Sequence, residues 1–133
     1  MIRRDDILRG HDKDNPLSQQ LESNLSKLLL KINAFIVRYG KPVTITSGYR
    51  PSEFNKSVGG GKNSAHLYCL AVDLHDPDDE IKKFCMETNI LDELNLFMEC
   101  PSQSDKWCHL QIRHASRRIF SPRIGHSCDL CSE

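Results

Sequence analysis

No stretch of this 133-residue chain is apolar for long enough to cross a bilayer. A spanning helix needs roughly 20 apolar residues, and the longest runs, 28–30 and the interrupted segment 67–74, fall far short. An excess of one charge is also missing: 18 Lys+Arg meet 18 Asp+Glu, for a net charge of zero. Without a broad positive field the chain has little to hold a phosphate backbone, so nucleic-acid binding is not expected. The first ten residues lack the continuous apolar segment and small-residue cleavage site of a standard export signal, so synthesis in the cytoplasm without that route is expected. Gly59, Gly60 and Gly61 stand together, but neither Walker spacing nor a strand-GxGxxG-helix context surrounds them, which argues against nucleotide binding.

What is present suits a single domain over residues 1–133. By the usual scaling a chain of 15.2 kDa folds to roughly 7,000 Å² of surface from about 22,000 Å², enough burial for a true core. Six cysteines, at 69, 85, 100, 108, 128 and 131, are not spaced as a disulfide scaffold, and reduced thiols are expected. Only Cys128 and Cys131 are close, after His126, and one such pair cannot complete a tetrahedral zinc site. A loose or partner-bound tail is the reading for 114–133.

Asn15-Pro16 resembles a helix start, and Leu17, Leu21, Leu25, Leu28, Leu29, Ile32, Phe35, Ile36 and Tyr39 recur at three- and four-residue steps up to Gly40. That spacing predicts an amphipathic helix. Val43–Thr46 is β-branched throughout and predicts a strand. A polar, glycine-rich loop follows from Tyr49 to Ser64, with one helical turn at 52–56, and a loop of that length in a small domain points to function. Leu70–Leu74 alternates as a half-buried strand, with Val72 on one face and Asp73 on the other. Asp76-Pro77-Asp78-Asp79 starts a second helix that ends near Asn89. Leu94–Glu99 and Trp107–Arg113 predict two further strands, the latter with Trp107, His109, Gln111 and Arg113 on one face. The expected fold is α+β, a small antiparallel sheet packed against helices.

His66, Asp73 and His109 stand at strand edges or on polar strand faces. Two histidines and a carboxylate suit zinc and leave a fourth position for water. If the two strands are neighbours, Asp73 and His109 are close enough to share an ion, and His66 must enter from the loop. Taken singly, such residues are more often a surface histidine and a turn-capping aspartate.

The surrounding residues add what these three lack. Ser47-Gly48-Tyr49-Arg50-Pro51, Asn55, Val58-Gly59-Gly60, the run from Ser64 to Asp73, and Trp107-Cys108-His109-Leu110-Gln111 form a series that resembles the zinc D-alanyl-D-alanine carboxypeptidase family. That family includes bacteriophage endolysin peptidases and vancomycin-resistance D,D-dipeptidases, and shares a fold with hedgehog signalling domains. The resemblance runs from about Leu25 to Arg113. It implies Zn2+ held by His66, Asp73 and His109, a substrate-binding role for Arg50, and supporting or cleft-lining roles for Ser64 and Tyr49. It further implies hydrolysis of peptide bonds in peptidoglycan stem peptides, by a monomer acting at the bacterial wall as a phage lysis product or in company with virion or tail proteins. A non-catalytic zinc module of the same fold is the alternative.

Two departures from the family pattern stand out. Many relatives carry an acid or a second histidine two or three residues before the last ligand, where Lys106 and Trp107 stand here. A general base is then expected from Glu99, which a hairpin from Leu94 to Arg113 would bring beside His109, or from Asp105. Cys69 replaces a glycine, which demands a home for its side chain.

Overall fold

The computed structural model describes residues 1–121; Cys128, Cys131 and most of the expected tail lie outside them. Five helices, α1 (Arg4–Leu8), α2 (Gln19–Tyr39), α3 (Ser52–Ser57), α4 (Glu80–Glu87) and α5 (Ile90–Leu94), surround a five-stranded sheet. Its strands are β1 (Ile45–Ser47), β2 (Ala71–His75), β3 (Phe97–Glu99), β4 (Trp107–Gln111) and β5 (Ile119–Phe120), in the order β1-β2-β4-β3-β5. All neighbours are antiparallel except β3 and β5, which run parallel. This is the expected α+β architecture, extended by a strand from the segment beyond Arg113.

Helix α2 starts at Ser18, later than the Asn-Pro signal suggested, because the Ser18 hydroxyl accepts from Leu21 N at 3.2 Å and so satisfies one of the helix's orphan donors. It ends at Gly40 in the left-handed region, φ 78°. Leu25, Leu28, Ile32 and Phe35 form its buried stripe, in one cluster with Val72, Leu74, Met98, Cys108 and Leu110 of the sheet. Each such side chain contributes about 1.5–3 kcal/mol by leaving water.

The charged N-terminus is part of the fold. Ile7 and Leu8 of α1 are fully buried, and Asn33 on α2 holds both the N–H and the carbonyl of Ile2, at 2.8 and 3.0 Å. Charges at 3–6 and 9 conceal a two-residue apolar anchor, too short to show a period.

Between β2 and β4, Asp76 caps α4 by accepting from Ile81 N and Lys82 N at 2.9 and 3.0 Å. Lys82 is fully buried, and its ammonium group donates to the carbonyls of Ser104 and Trp107 and pairs with Asp79. A buried lysine thus ties α4 to the connection between β3 and β4. Helix α5 was hidden in the sequence because only five residues, separated from α4 by Thr88 and Asn89, form it.

Candidate metal centre

Strands β2 and β4 pair with Asp73 directly opposite His109, on the face turned away from the core. His66 comes from the 3-10 turn Ala65–Tyr68 that precedes β2, which resolves how a residue seven positions from Asp73 reaches the same side. One ligating atom from each residue lies within 4.8 Å of the others, and all three residues are buried.

The tautomers follow from the outer partners. His66 Nδ1 is 2.8 Å from the Gly48 carbonyl, which can only accept, so Nδ1 carries the proton and Nε2 keeps its lone pair. Gln111 donates through Nε2 to the Arg113 carbonyl at 2.9 Å, which turns its amide oxygen toward His109 Nε2 at 2.8 Å. His109 therefore donates from Nε2 and keeps a lone pair on Nδ1. Both lone pairs meet Asp73 Oδ1, His66 Nε2 at 3.3 Å and His109 Nδ1 at 2.9 Å. Three acceptors converging on one point repel unless a cation lies among them. A proton can serve one of these contacts; a borderline divalent ion such as Zn2+ serves all three, so this donor set fits zinc.

Electrostatics point the same way. Burial disfavours ionised Asp73, yet its contacts with His109 and His66 outweigh it and hold the carboxyl well below the usual carboxylate range. Burial lowers the pKa of His66 and keeps it neutral. For His109 burial acts in the same sense, but the contact with Asp73 prevails and raises its pKa.

Arg50 holds the second oxygen of Asp73. Its Nη2 lies 3.4 Å from Asp73 Oδ2, its Nε 3.0 Å from Ser47 Oγ and its Nη1 3.4 Å from Asn55 Oδ1. Asn55 in turn donates to Gly61 O at 2.8 Å, and a Cβ on Gly60 would stand 1.9 Å from Asn55 Oδ1. The glycine-rich loop wraps the asparagine that steadies Arg50. Ser64 caps the 3-10 turn by accepting from His66 N at 3.2 Å.

Arg50, Ser64 and the three candidate ligands line a cleft of about 560 Å³ together with Glu99, Trp107 and Arg113. The β3–β4 register, Phe97 to Gln111 and Met98 to Leu110, carries Glu99 to the cleft. Its Oε1 accepts from the buried Ser104 hydroxyl at 3.1 Å, and burial raises its pKa against the lowering influence of His109 and Ser104. Asp105 is exposed and does not line this cleft. Tyr49 is buried and lines a separate cavity of about 240 Å³.

A model of the peptidase M15 family matches residues 2–111. The chain belongs to the peptidase M15 family. The match starts before α1, in keeping with its buried anchor, and closes just after the last candidate ligand. M15 peptidases are zinc enzymes, and the histidine–aspartate–histidine group is where this member can hold the ion. No curated protein sequence matches the chain.

Cys69 stands in a backbone conformation that suits the glycine expected there from the resemblance. Its φ of 57° lies in the left-handed region, which costs a side-chain-bearing residue roughly 1–2 kcal/mol. The thiol is fully buried, pushed up to about 12 by burial, and is no member of the metal group. Cys85 and Cys108 are likewise free and buried, whereas Cys100 is disulfide-bonded, against the all-thiol expectation.

Gly48, Ser104 and Gln111 acquire supporting roles that the sequence reading did not assign. Gln111 alone left a signal, two positions from His109 on the same strand face.

Proposed function

We propose that this M15 member is a zinc-dependent hydrolase of peptide bonds in bacterial peptidoglycan, acting on stem peptides or their crosslinks. One observation carries the reading: a three-donor metal site, a fixed guanidinium and a buried carboxylate share a single open cleft.

When bound, Zn2+ would polarise the scissile carbonyl and acidify the attacking water. Glu99 takes the proton from that water and delivers it to the leaving amine, its carboxylate oriented by Ser104. Arg50, held on three sides, faces the substrate carbonyl and the negative charge that develops on it. Its hydrogen bond to Asp73 also keeps that carboxylate from rotating away from the two histidines.

The rival is a zinc-binding wall module without activity, as Lys106 in the usual acid position permits. Glu99 in the cleft favours the enzyme. No helix among the described residues is long and apolar enough to cross a membrane, which suits action at the wall as a phage lysis product or virion-associated protein. Digestion of purified peptidoglycan by zinc-loaded protein, followed by mass spectrometry of the muropeptides, identifies the bond cut. An unchanged muropeptide profile with zinc bound would move the assignment to the binding module.

A further inference from the structure

The arginines of the cleft are not equivalent. Arg50 is committed through Nε, Nη1 and Nη2. Arg113 lies two residues past the end of β4 and continues the face of His109 and Gln111. Its side chain makes one hydrogen bond among the described residues, from Nη1 to the Asn63 carbonyl at 2.8 Å. Asn63 is itself held by the Tyr68 hydroxyl at 3.1 Å. The guanidinium is therefore anchored at one nitrogen while Nε and Nη2 remain open. No carboxylate among the described residues forms an ion pair with it. The carboxylates lining the cleft are Asp73 and Glu99, the first engaged by the two histidines and Arg50, the second by Ser104.

An anchored arginine with an open fork suits bidentate recognition of a carboxylate, because the cost of fixing the side chain has already been met. We propose that Arg113 is a specificity-determining residue that binds a carboxylate of the substrate, so that preferred peptides carry a free carboxylate close to the bond cut. The assignment rests on the peptidase reading for its substrate. Four residues of chain span at most about 14 Å, which bounds the backbone separation of Arg113 and His109. The carboxylate then belongs within about four residues of the scissile bond.

Trp107 is the chain's single tryptophan and lines the same cleft, so its fluorescence can report binding without turnover. Full-length zinc-loaded protein is titrated with an N-acetylated alanine tripeptide, in L and D forms, as the free C-terminal acid and as the carboxamide. A second pair, amidated and differing only in glutamate against glutamine at the central position, separates a side-chain carboxylate from a main-chain one. Calorimetry supplies an independent affinity.

The acid of at least one pair is expected to bind about tenfold more tightly than its amide. Arg113→Gln brings the ratio close to one with amide affinity unchanged, and Arg113→Lys falls between. The amide serves as the control for an intact cleft. Equal binding of acid and amide in both pairs, no binding at all, or a ratio that survives Arg113→Gln overturns the assignment. Acid-selective binding together with an unchanged muropeptide profile refutes the peptidase reading and leaves Arg113 in place; digestion of peptidoglycan without acid preference does the reverse.

Discussion

His66 Nδ1 lies 2.8 Å from the carbonyl oxygen of Gly48, and Gly48 is packed on Ile7 so closely that a Cβ would stand 2.3 Å from the Ile7 oxygen. The Ile7 carbonyl also accepts from Tyr49 N at 2.9 Å. The N-terminal helix thereby fixes the carbonyl that sets the tautomer of a metal ligand. Gly48→Ala has to displace that contact. Zinc affinity, measured by competition with a chelator, is expected to fall about 10- to 100-fold, with about 1–3 kcal/mol of stability lost to overpacking. An affinity equal to wild type would show that α1 has no hold on His66.

The metal site stands on a sheet that has its own core. The cluster from Ile7 to Leu110 includes none of His66, Asp73 and His109, so chelation is expected to abolish activity and leave the fold intact by circular dichroism. Zinc at a thousand times its dissociation constant should add about 4 kcal/mol of stability. In Asp73→Ala that increment should vanish together with bound zinc. Zinc-induced stabilisation that persists in the variant would place the metal elsewhere.

Much of this arrangement was legible because it depends on strand periodicity. Alternation at 70–75 and 107–113 put Asp73 and His109 on polar faces, and neighbouring strands made them opposite. The hairpin that brings Glu99 to the cleft could be read for the same reason. Helix α5, strand β5 and the anchor Ile7-Leu8 could not, since two to five residues do not establish a period. Gly48 and Ser104 were illegible for a different reason: one acts through its backbone carbonyl and the other through a hydroxyl whose partner is set only by the folded loop.

Lys82 offers a test of that loop. Its ammonium group, fully buried, supplies hydrogen bonds to the carbonyls of Ser104 and Trp107. Lys82→Met keeps the apolar stem and removes the donors, leaving two carbonyls at the β3–β4 connection without them. A loss of about 2–4 kcal/mol in denaturant unfolding is expected. Asp79 regains water at little cost, being 71% exposed in its side chain. Because Ser104 also holds Glu99, turnover should fall more than zinc affinity does. Equal losses in both would mean that the loop supports the cleft only in a general way.

Glu99→Gln separates catalysis from stability. Glutamine can still accept from the Ser104 hydroxyl but takes no proton from water, so kcat is expected to fall about 10²- to 10⁴-fold with zinc still bound. In wild type the acidic limb of the pH profile should lie above the ordinary carboxylate range, because burial raises the pKa of Glu99. The same shift fixes a sign for folding. The folded state of the metal-free protein holds the Glu99 proton more tightly than the unfolded state does. Wild type therefore loses stability relative to the glutamine variant as pH rises from about 4.3, the unfolded value, through the higher folded value. Below that window both side chains are neutral and the two proteins should match. Above it the metal-free variant should be the more stable, by a constant margin in thermal unfolding. A variant that is less stable at neutral pH, or whose deficit grows with pH, would show that the Glu99 charge is stabilised where it sits and is not held ready to accept a proton.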